Sequence, residues 1–168
     1  MEPGYPLSYI SLRSDIFVHA IDFKIITGFL ILAIMLFISA LMSGSEVAYF
    51  SFRPEDIERF KTSKNKRPQS VMRLYNNPEK LLSTILVANN TVNIAIVLLA
   101  AFLSSKIFDF SAKPLIGFII NAVVITFLLL FFGEVMPKVY ASRNHVKVAL
   151  FMAYPLTLLE KIFHPVTS

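Results

Sequence analysis

Three long apolar stretches, at 25–50, 81–104 and 115–136, constrain the fold of this 168-residue chain more than any other feature. Each stretch is long enough to cross a hydrocarbon layer of about 30 Å, which takes about 20 helical residues. Hydrophobic residues form 55% of the chain and charged residues only 16%, whereas about a quarter of a soluble domain is charged. The sequence therefore predicts an all-α integral membrane protein with three transmembrane helices.

The polar stretches beside these spans differ in their positive charge. The segment 51–80 holds eight Lys and Arg residues and 137–168 holds four, whereas 1–24 and 105–114 hold two each. Lys and Arg accumulate in the cytoplasmic loops of membrane proteins. We therefore expect an extracytoplasmic N-terminal segment, a three-span domain at 25–136 and a cytoplasmic C-terminal region.

The first cytoplasmic stretch has the pattern of juxtamembrane amphipathic helices. A short helix is expected to begin at Pro54 and to be followed by a basic turn at 62–68. Asn77 and Pro78 fit the N-cap and the first residue of the helix that contains the second span.

The C-terminal region 137–168 contains a further apolar run at 148–159. This run is interrupted by Pro155 and is too short to cross a bilayer. We expect a juxtamembrane or re-entrant helix here rather than a fourth span.

Composition also excludes several kinds of site. The chain has no Cys, so disulfides and thiolate metal sites are impossible. The net charge of +5 is explained by the cytoplasmic stretches and does not indicate nucleic-acid binding. No nucleophile–base pair or phosphate-binding loop is visible, and we therefore do not expect an enzyme.

Glu46 and Glu134 are the only charged side chains within the apolar spans. A carboxylate in a bilayer costs on the order of 3 kcal/mol and normally marks a functional site with a partner. Because the spans contain no Lys or Arg, a cation from outside the chain is the simplest partner.

Each span carries a cluster of polar groups in the cytoplasmic half of the bilayer. At about 1.5 Å per residue, the clusters lie roughly 21 to 28 Å from the outer ends of their spans. Pro137 lacks an N–H and therefore frees the carbonyl of Gly133. Hydroxyl, amide, carbonyl and carboxylate oxygens suit Mg²⁺, Ca²⁺ or Na⁺. The candidate ligands are Ser43, Ser45, Asn89, Asn90, Asn93, Gly133 and Glu134.

Each cluster also has a purely structural interpretation. The small residues at 43–45 are typical of close helix packing, and intramembrane Asn side chains hydrogen-bond between helices. Glu46 can pair with Arg53, and Glu134 with Lys138 four residues later. The convergence of three clusters at one depth favours an ion site, because packing alone does not require it.

Three strings occur in a specific order: SGSEVA at 43–48, TILVANNTVN at 84–93 and GEVMPK at 133–138. Together they resemble the membrane domain of the bacterial CorC and animal CNNM (cyclin M) magnesium transporter family, also called DUF21. The resemblance covers roughly residues 25–165. The stretch 1–12 further resembles the GldE branch of this family in Bacteroidetes, which is associated with gliding motility.

The resemblance implies a homodimer of three-span subunits in the bacterial inner membrane, followed by a cytoplasmic pair of CBS domains. It also implies a dehydrated Mg²⁺ between the helices and its Na⁺-coupled export. The implied ligands are Ser43, Asn90, Gly133 and Glu134. Ser45, Asn89 and Asn93 are implied as further ligands or as residues that hold the ligands in place. Glu46 and Pro137 are expected beside the ligands without contacting the ion.

Two functions remain open for such a chain. The first is a transporter domain that binds Mg²⁺ and moves it across the membrane. The second is a membrane assembly subunit of a gliding-motility or secretion machine, in which the ion site is structural or vestigial. A packing module without an ion is a third interpretation. Ligand types alone do not separate Mg²⁺ from Na⁺.

Overall fold

A computed structural model of the protein describes residues 17–18, 23–109 and 114–163. The N-terminal stretch that resembles the GldE branch lies outside these residues. The helices and strands, in chain order, are β1 (Phe17–Val18), α1 (Phe23–Phe50), α2 (Pro54–Thr62), α3 (Lys66–Tyr75), α4 (Pro78–Ile107), β2 (Phe108–Asp109), α5 (Pro114–Leu128), a π-helical segment (Leu129–Val135, the π segment), α6 (Met136–Arg143) and α7 (His145–Ile162).

The three predicted spans are confirmed. Helices long and apolar enough to cross a membrane lie at Phe23–Phe50, Pro78–Ile107 and Pro114–Arg143 in the part of the chain that the structure describes. Large apolar side chains cover their outer surfaces, as lipid contact requires. The fold is therefore that of an all-α membrane protein, with only one two-residue strand pair among the described residues.

That strand pair joins the ends of two spans. β1 precedes α1 and pairs antiparallel with β2, which follows α4, with Phe17 opposite Asp109. The pairing holds the start of α1 and the end of α4 together. These two helices also form the most extensive helix pair in the described protein.

The third span continues through Pro137 instead of ending there. Immediately before it, the π segment replaces the α-helical pattern, and the Met136 N–H donates to the carbonyl of Phe131, five residues earlier. Proline cannot donate the bond that the carbonyl four residues earlier needs. The π segment thus lies directly before the residues that contain this proline, and such wide turns are frequent at functional sites.

Three shorter helices form a layer at one end of the spans. α2, α3 and α7 pack around the last turns of α1 and the first turns of α4. The buried residues that they share with the spans are Met42, Ala48, Tyr49, Phe60, Val71, Met72, Leu74, Leu81, Ile85, Ala88, Ala141, Ala149, Met152, Ala153 and Leu156.

One local prediction in this layer needs correction, whereas the N-cap predicted at Asn77 is confirmed in the backbone. The basic turn is shorter than the predicted 62–68, because α3 begins at Lys66 and accommodates Pro68 in its first turn, where no N–H is needed. Asn77 does precede α4, but its side-chain amide donates to the carbonyl of Arg73 at 3.2 Å. Asn77 is still the N-cap of α4 through its backbone, because its carbonyl accepts the Leu81 N–H at 3.0 Å, while its side chain binds the last turn of α3.

α7 is the helix predicted at the C-terminal apolar run. It is not one of the helices that are apolar enough to span, so the expectation of no fourth span is confirmed. The Tyr49 hydroxyl, near the end of α1, donates to the carbonyl of Ala149 at 3.5 Å. Lys80, in the first turn of α4, lies 3.5 Å from Glu160. Both halves of α7 therefore lie level with span ends.

Asp56 links the start of α2 to the start of α7. Its carboxylate accepts the Arg53 N–H at 3.0 Å and lies 2.9 Å from Nε2 of His145. The hydrogen bond from Arg53 lowers the pKa of the Asp56 carboxyl, and His145 adds to this effect against the opposing influence of burial.

Candidate ion site

Ser39 joins the first two spans at the depth of the polar clusters. It is fully buried on α1, and its hydroxyl lies 2.7 Å from Oδ1 of Asn93 and 3.1 Å from Oδ1 of Asn89 on α4. A hydroxyl has one proton, and the shorter distance indicates that this proton is donated to Oδ1 of Asn93. The amide oxygen of Asn89 therefore keeps lone-pair capacity at this point.

The third span reaches the same serine through Gly133 in the π segment. A Cβ built on Gly133 would lie 3.1 Å from the Ser39 hydroxyl, which is tighter than ordinary contact. The backbone of the π segment therefore lies so close to α1 that a side chain at position 133 would crowd Ser39. Asn89, Asn93 and Gly133 converge on Ser39, as the depth of the clusters predicted.

Sequence reasoning missed Ser39 itself. The available signal was its position four residues before Ser43, which places both on one face of α1. As an isolated serine in an apolar run, it had no polar neighbour in the sequence to draw attention to it.

Ser43 is the most informative of the predicted ligands. It is only 1% exposed, and its hydroxyl has no hydrogen-bond partner among the described residues. Leaving a buried hydroxyl unpaired costs about 1–3 kcal/mol. On α4, the buried Thr84 hydroxyl is likewise unpaired in this part of the chain. Such oxygens are suited to an ion that the protein would receive from outside.

Ser45 and Gly44 have roles within the helices. The Ser45 hydroxyl donates to the carbonyl of Leu41 at 2.6 Å, so its proton is used within α1. A Cβ on Gly44 would lie 3.4 Å from the carbonyl oxygen of Pro137 and 3.7 Å from Cβ of Ala141. The structural interpretation of this small-residue stretch therefore holds for Gly44, which packs against α6.

The ion pairs differ from those that the sequence suggested. Lys138 pairs with Glu46 at 3.2 Å, instead of Glu134 with Lys138 or Glu46 with Arg53. Side-chain exposures of 40% for Lys138 and 32% for Glu46 limit the stabilisation by this pair to about 1 kcal/mol or less. The half-buried Glu134 carboxylate has no hydrogen bond or ion pair with the rest of the described chain.

Asn90 occupies a different environment from its neighbours. It lies on the exposed side of α4, and its side chain makes no hydrogen bond to another described residue. The structure therefore does not bring Asn90 into the buried cluster around Ser39.

Apart from Glu134, the ligands predicted for the ion site are neutral oxygen atoms. Residues 23–109 and 114–163 contain no group of three or more His, Cys, Asp or Glu that could hold a metal. The predicted donors are hydroxyl, amide and carbonyl oxygens, with Glu134 as the single carboxylate. Such donors suit hard cations.

Comparison with known proteins agrees with this architecture. A 34% identical relative is a "UPF0053 protein" of Haemophilus influenzae, matched over 83% of this chain and 32% of its own length. The "UPF0053 inner membrane protein YfjD" of Escherichia coli is 31% identical over 76% of this chain and 29% of its own length. The "Metal transporter cnnm-4" of Caenorhabditis elegans is 30% identical over 82% and 29%.

The chain thus spans about a third or less of the length of these relatives. Residues 30–168 match the cyclin M transmembrane N-terminal domain. This match includes all three strings noted in the sequence and both sides of the Ser39 cluster. The chain is a multi-pass membrane protein that belongs to the cyclin M (CNNM, UPF0053) family of membrane metal transporters.

Proposed function

We propose that this domain binds a dehydrated Mg²⁺ between its helices and is the ion-conducting part of a transporter that exports Mg²⁺ in exchange for Na⁺. The observation that carries the proposal is the buried, unpaired hydroxyl of Ser43. It lies one helical turn from Ser39, around which the three spans converge. The relative named as a metal transporter supports the metal-transport part of this proposal.

The ligands proposed are the Ser43 hydroxyl, the Asn90 amide oxygen, the Gly133 carbonyl and the Glu134 carboxylate. Mg²⁺ requires about six oxygens in octahedral geometry and gives up water reluctantly. Asn89, Asn93 and Ser45 supply the further oxygens or hold the ligands in place. Ser39 orients the two amides, because its hydroxyl already binds both.

The charge of the site suits a cargo that must leave again. Glu134 supplies one negative charge, and the charge of Glu46 is balanced by Lys138. A bound Mg²⁺ would therefore keep a net positive charge in a medium of low dielectric constant. Binding weak enough for release is what transport requires.

A homodimer completes the proposal. Asn90 exposes an amide at membrane depth, and Glu134 exposes part of a carboxylate. Polar groups at this depth face protein or water rather than lipid, because contact with lipid is costly. A second copy packed on α4 and the third span would cover both groups. Crosslinking in mild detergent that found only monomers would contradict this arrangement.

The ion site is tested by Mg²⁺-dependent thermal stabilisation of the purified protein. An ion at a hundredfold excess over its Kd stabilises the folded state by about 2.7 kcal/mol. Glu134→Gln and Asn90→Leu should abolish this response, whereas Glu58→Gln and Asn121→Leu, matched substitutions away from the site, should keep it. Wild-type Mg²⁺ responses in both site variants would show that the ion binds elsewhere.

Transport itself is tested in proteoliposomes loaded with a Mg²⁺ indicator. We expect Mg²⁺ flux that depends on a Na⁺ gradient and is lost in Glu134→Gln. Retained Mg²⁺ binding without any flux would instead favour the assembly subunit with a structural ion.

A further inference from the structure

A groove between α2, α3 and α7 is lined by three cations. Its volume is about 420 Å³, and Arg59, Lys66 and Arg67 line it together with Leu150 and Tyr154. None of the three cations forms an ion pair with another residue in the described part of the chain. Like charges grouped in this way favour an anion between them.

Tyr154 connects the charged groove to an apolar surface. The guanidinium of Arg67 lies 5.7 Å from the centre of its ring, within cation–π distance. On the same side of α7, Phe151, Leu158 and Ile162 are also largely exposed. The spacing of these four residues, three or four apart, places them in one stripe along the helix. The opposite face of α7 is already buried in the core.

The stripe lies where the membrane surface must be. Ala149 of α7 contacts Tyr49 near the end of α1, and Glu160 contacts Lys80 at the start of α4. α7 therefore runs alongside the ends of two spans instead of away from them. An exposed apolar stripe at this level is typical of a helix that lies in the lipid interface.

We propose that the groove binds the phosphate of an anionic phospholipid whose acyl chains lie along the exposed stripe of α7. The three cations attract the phosphate, and the Arg67 guanidinium lies within cation–π distance of the Tyr154 ring. The adjacent apolar stripe favours a lipid over a free phosphate, because a soluble anion would leave it uncovered. The proposal is independent of the ion site, which lies within the spans.

A single fluorophore can test this directly, because the chain contains no Trp. Tyr154→Trp keeps an aromatic ring beside Arg67 and introduces the only indole. The protein is placed in nanodiscs that contain an equal fraction of acyl-brominated phosphatidylglycerol or phosphatidylcholine. We expect the brominated anionic lipid to quench the indole several-fold more strongly. Phe118→Trp, on the exposed side of α5, should be quenched equally by both lipids.

Charge-matched variants then separate a built site from general attraction. Arg59→Gln, Lys66→Gln and Arg67→Gln together should remove the preference, lowering the apparent affinity for the anionic lipid by tenfold or more. A control that loses the same charge through Lys61→Gln, Lys64→Gln and Lys147→Gln should keep the preference. Both sets should retain the thermal response to Mg²⁺.

Four results would overturn the lipid site. Equal quenching by the two lipids, or a preference that survives in the groove variant, would show that the cations select no headgroup. Absence of quenching by either lipid would show that protein covers this face of α7. Loss of the preference on addition of 10 mM inorganic phosphate, an amount chosen to be about a thousandfold above the protein, would assign the groove to a soluble anion.

Discussion

Gly133→Ala is the substitution that most directly tests the close approach of the third span to α1. The added methyl group would lie 3.1 Å from the Ser39 hydroxyl, so Ser39 must move by a few tenths of an ångström. It is held by the 2.7 Å bond to Asn93 and is fully buried, so it has little room to move. Overpacking of this kind costs about 1–3 kcal/mol, against a gain of up to about 1 kcal/mol in helix propensity.

Gly44→Ala is the matched control. It gains similar helix propensity, but its Cβ would meet Pro137 and Ala141 at 3.4 Å or more, which is ordinary contact. We therefore expect Gly44→Ala to leave stability unchanged or raise it by about 0.4–1 kcal/mol.

Thermal unfolding with and without Mg²⁺ separates the two variants. Gly133→Ala should lower stability by up to about 2 kcal/mol and weaken the Mg²⁺ response, since it displaces Ser39 and crowds the carbonyl. If Gly133→Ala stabilised the protein as much as Gly44→Ala and kept its Mg²⁺ response, the tight contact would have no role in the site.

Three further predictions follow from single contacts. Ser39→Ala removes the hydroxyl that binds Asn93 and should cost about 1 kcal/mol in thermal stability while weakening the Mg²⁺ response; an unchanged response would remove Ser39 from the site. Asp56→Asn should lower the free energy of unfolding by about 1 kcal/mol at neutral pH, because the carboxylate has a lowered pKa in the folded protein. This loss should shrink as the pH falls through that pKa. A difference in stability between the two proteins that did not change with pH would contradict this account. For the orientation, cysteines introduced by Ser63→Cys and Ser111→Cys should differ in intact cells, with an impermeant reagent labelling only position 111; labelling of position 63 alone would reverse the topology.

Hydropathy predicted the three spans because their length and composition are set by the bilayer and do not depend on contacts within the protein. The depth of the polar clusters also followed from helix geometry, so the meeting of Asn89, Asn93 and Gly133 could be anticipated. Their common partner Ser39 had only one signal in the sequence, its spacing of four residues from Ser43, and nothing in the sequence shows that this face of α1 meets α4.

The sequence also did not predict that Lys138 pairs with Glu46. Pairing with Glu134 assumes that residues four apart lie on one side of a regular helix. The π segment ends between these two residues, and the side chain of Lys138 instead reaches Glu46 on α1. The correct pairing depends on how the third span packs on α1, which no local pattern encodes.

The π segment also has a consequence for how this span can change during evolution. A π turn accommodates one extra residue without rotating the helix on either side, so losing one residue between 129 and 135 would restore an α-helix with both flanks still facing the same way. The same loss elsewhere in 114–143 would rotate one flank by about 100° and turn lipid-facing side chains inward. Within this span, relatives one residue shorter should therefore have their gap in the π segment and lack the wide turn beside Ser39.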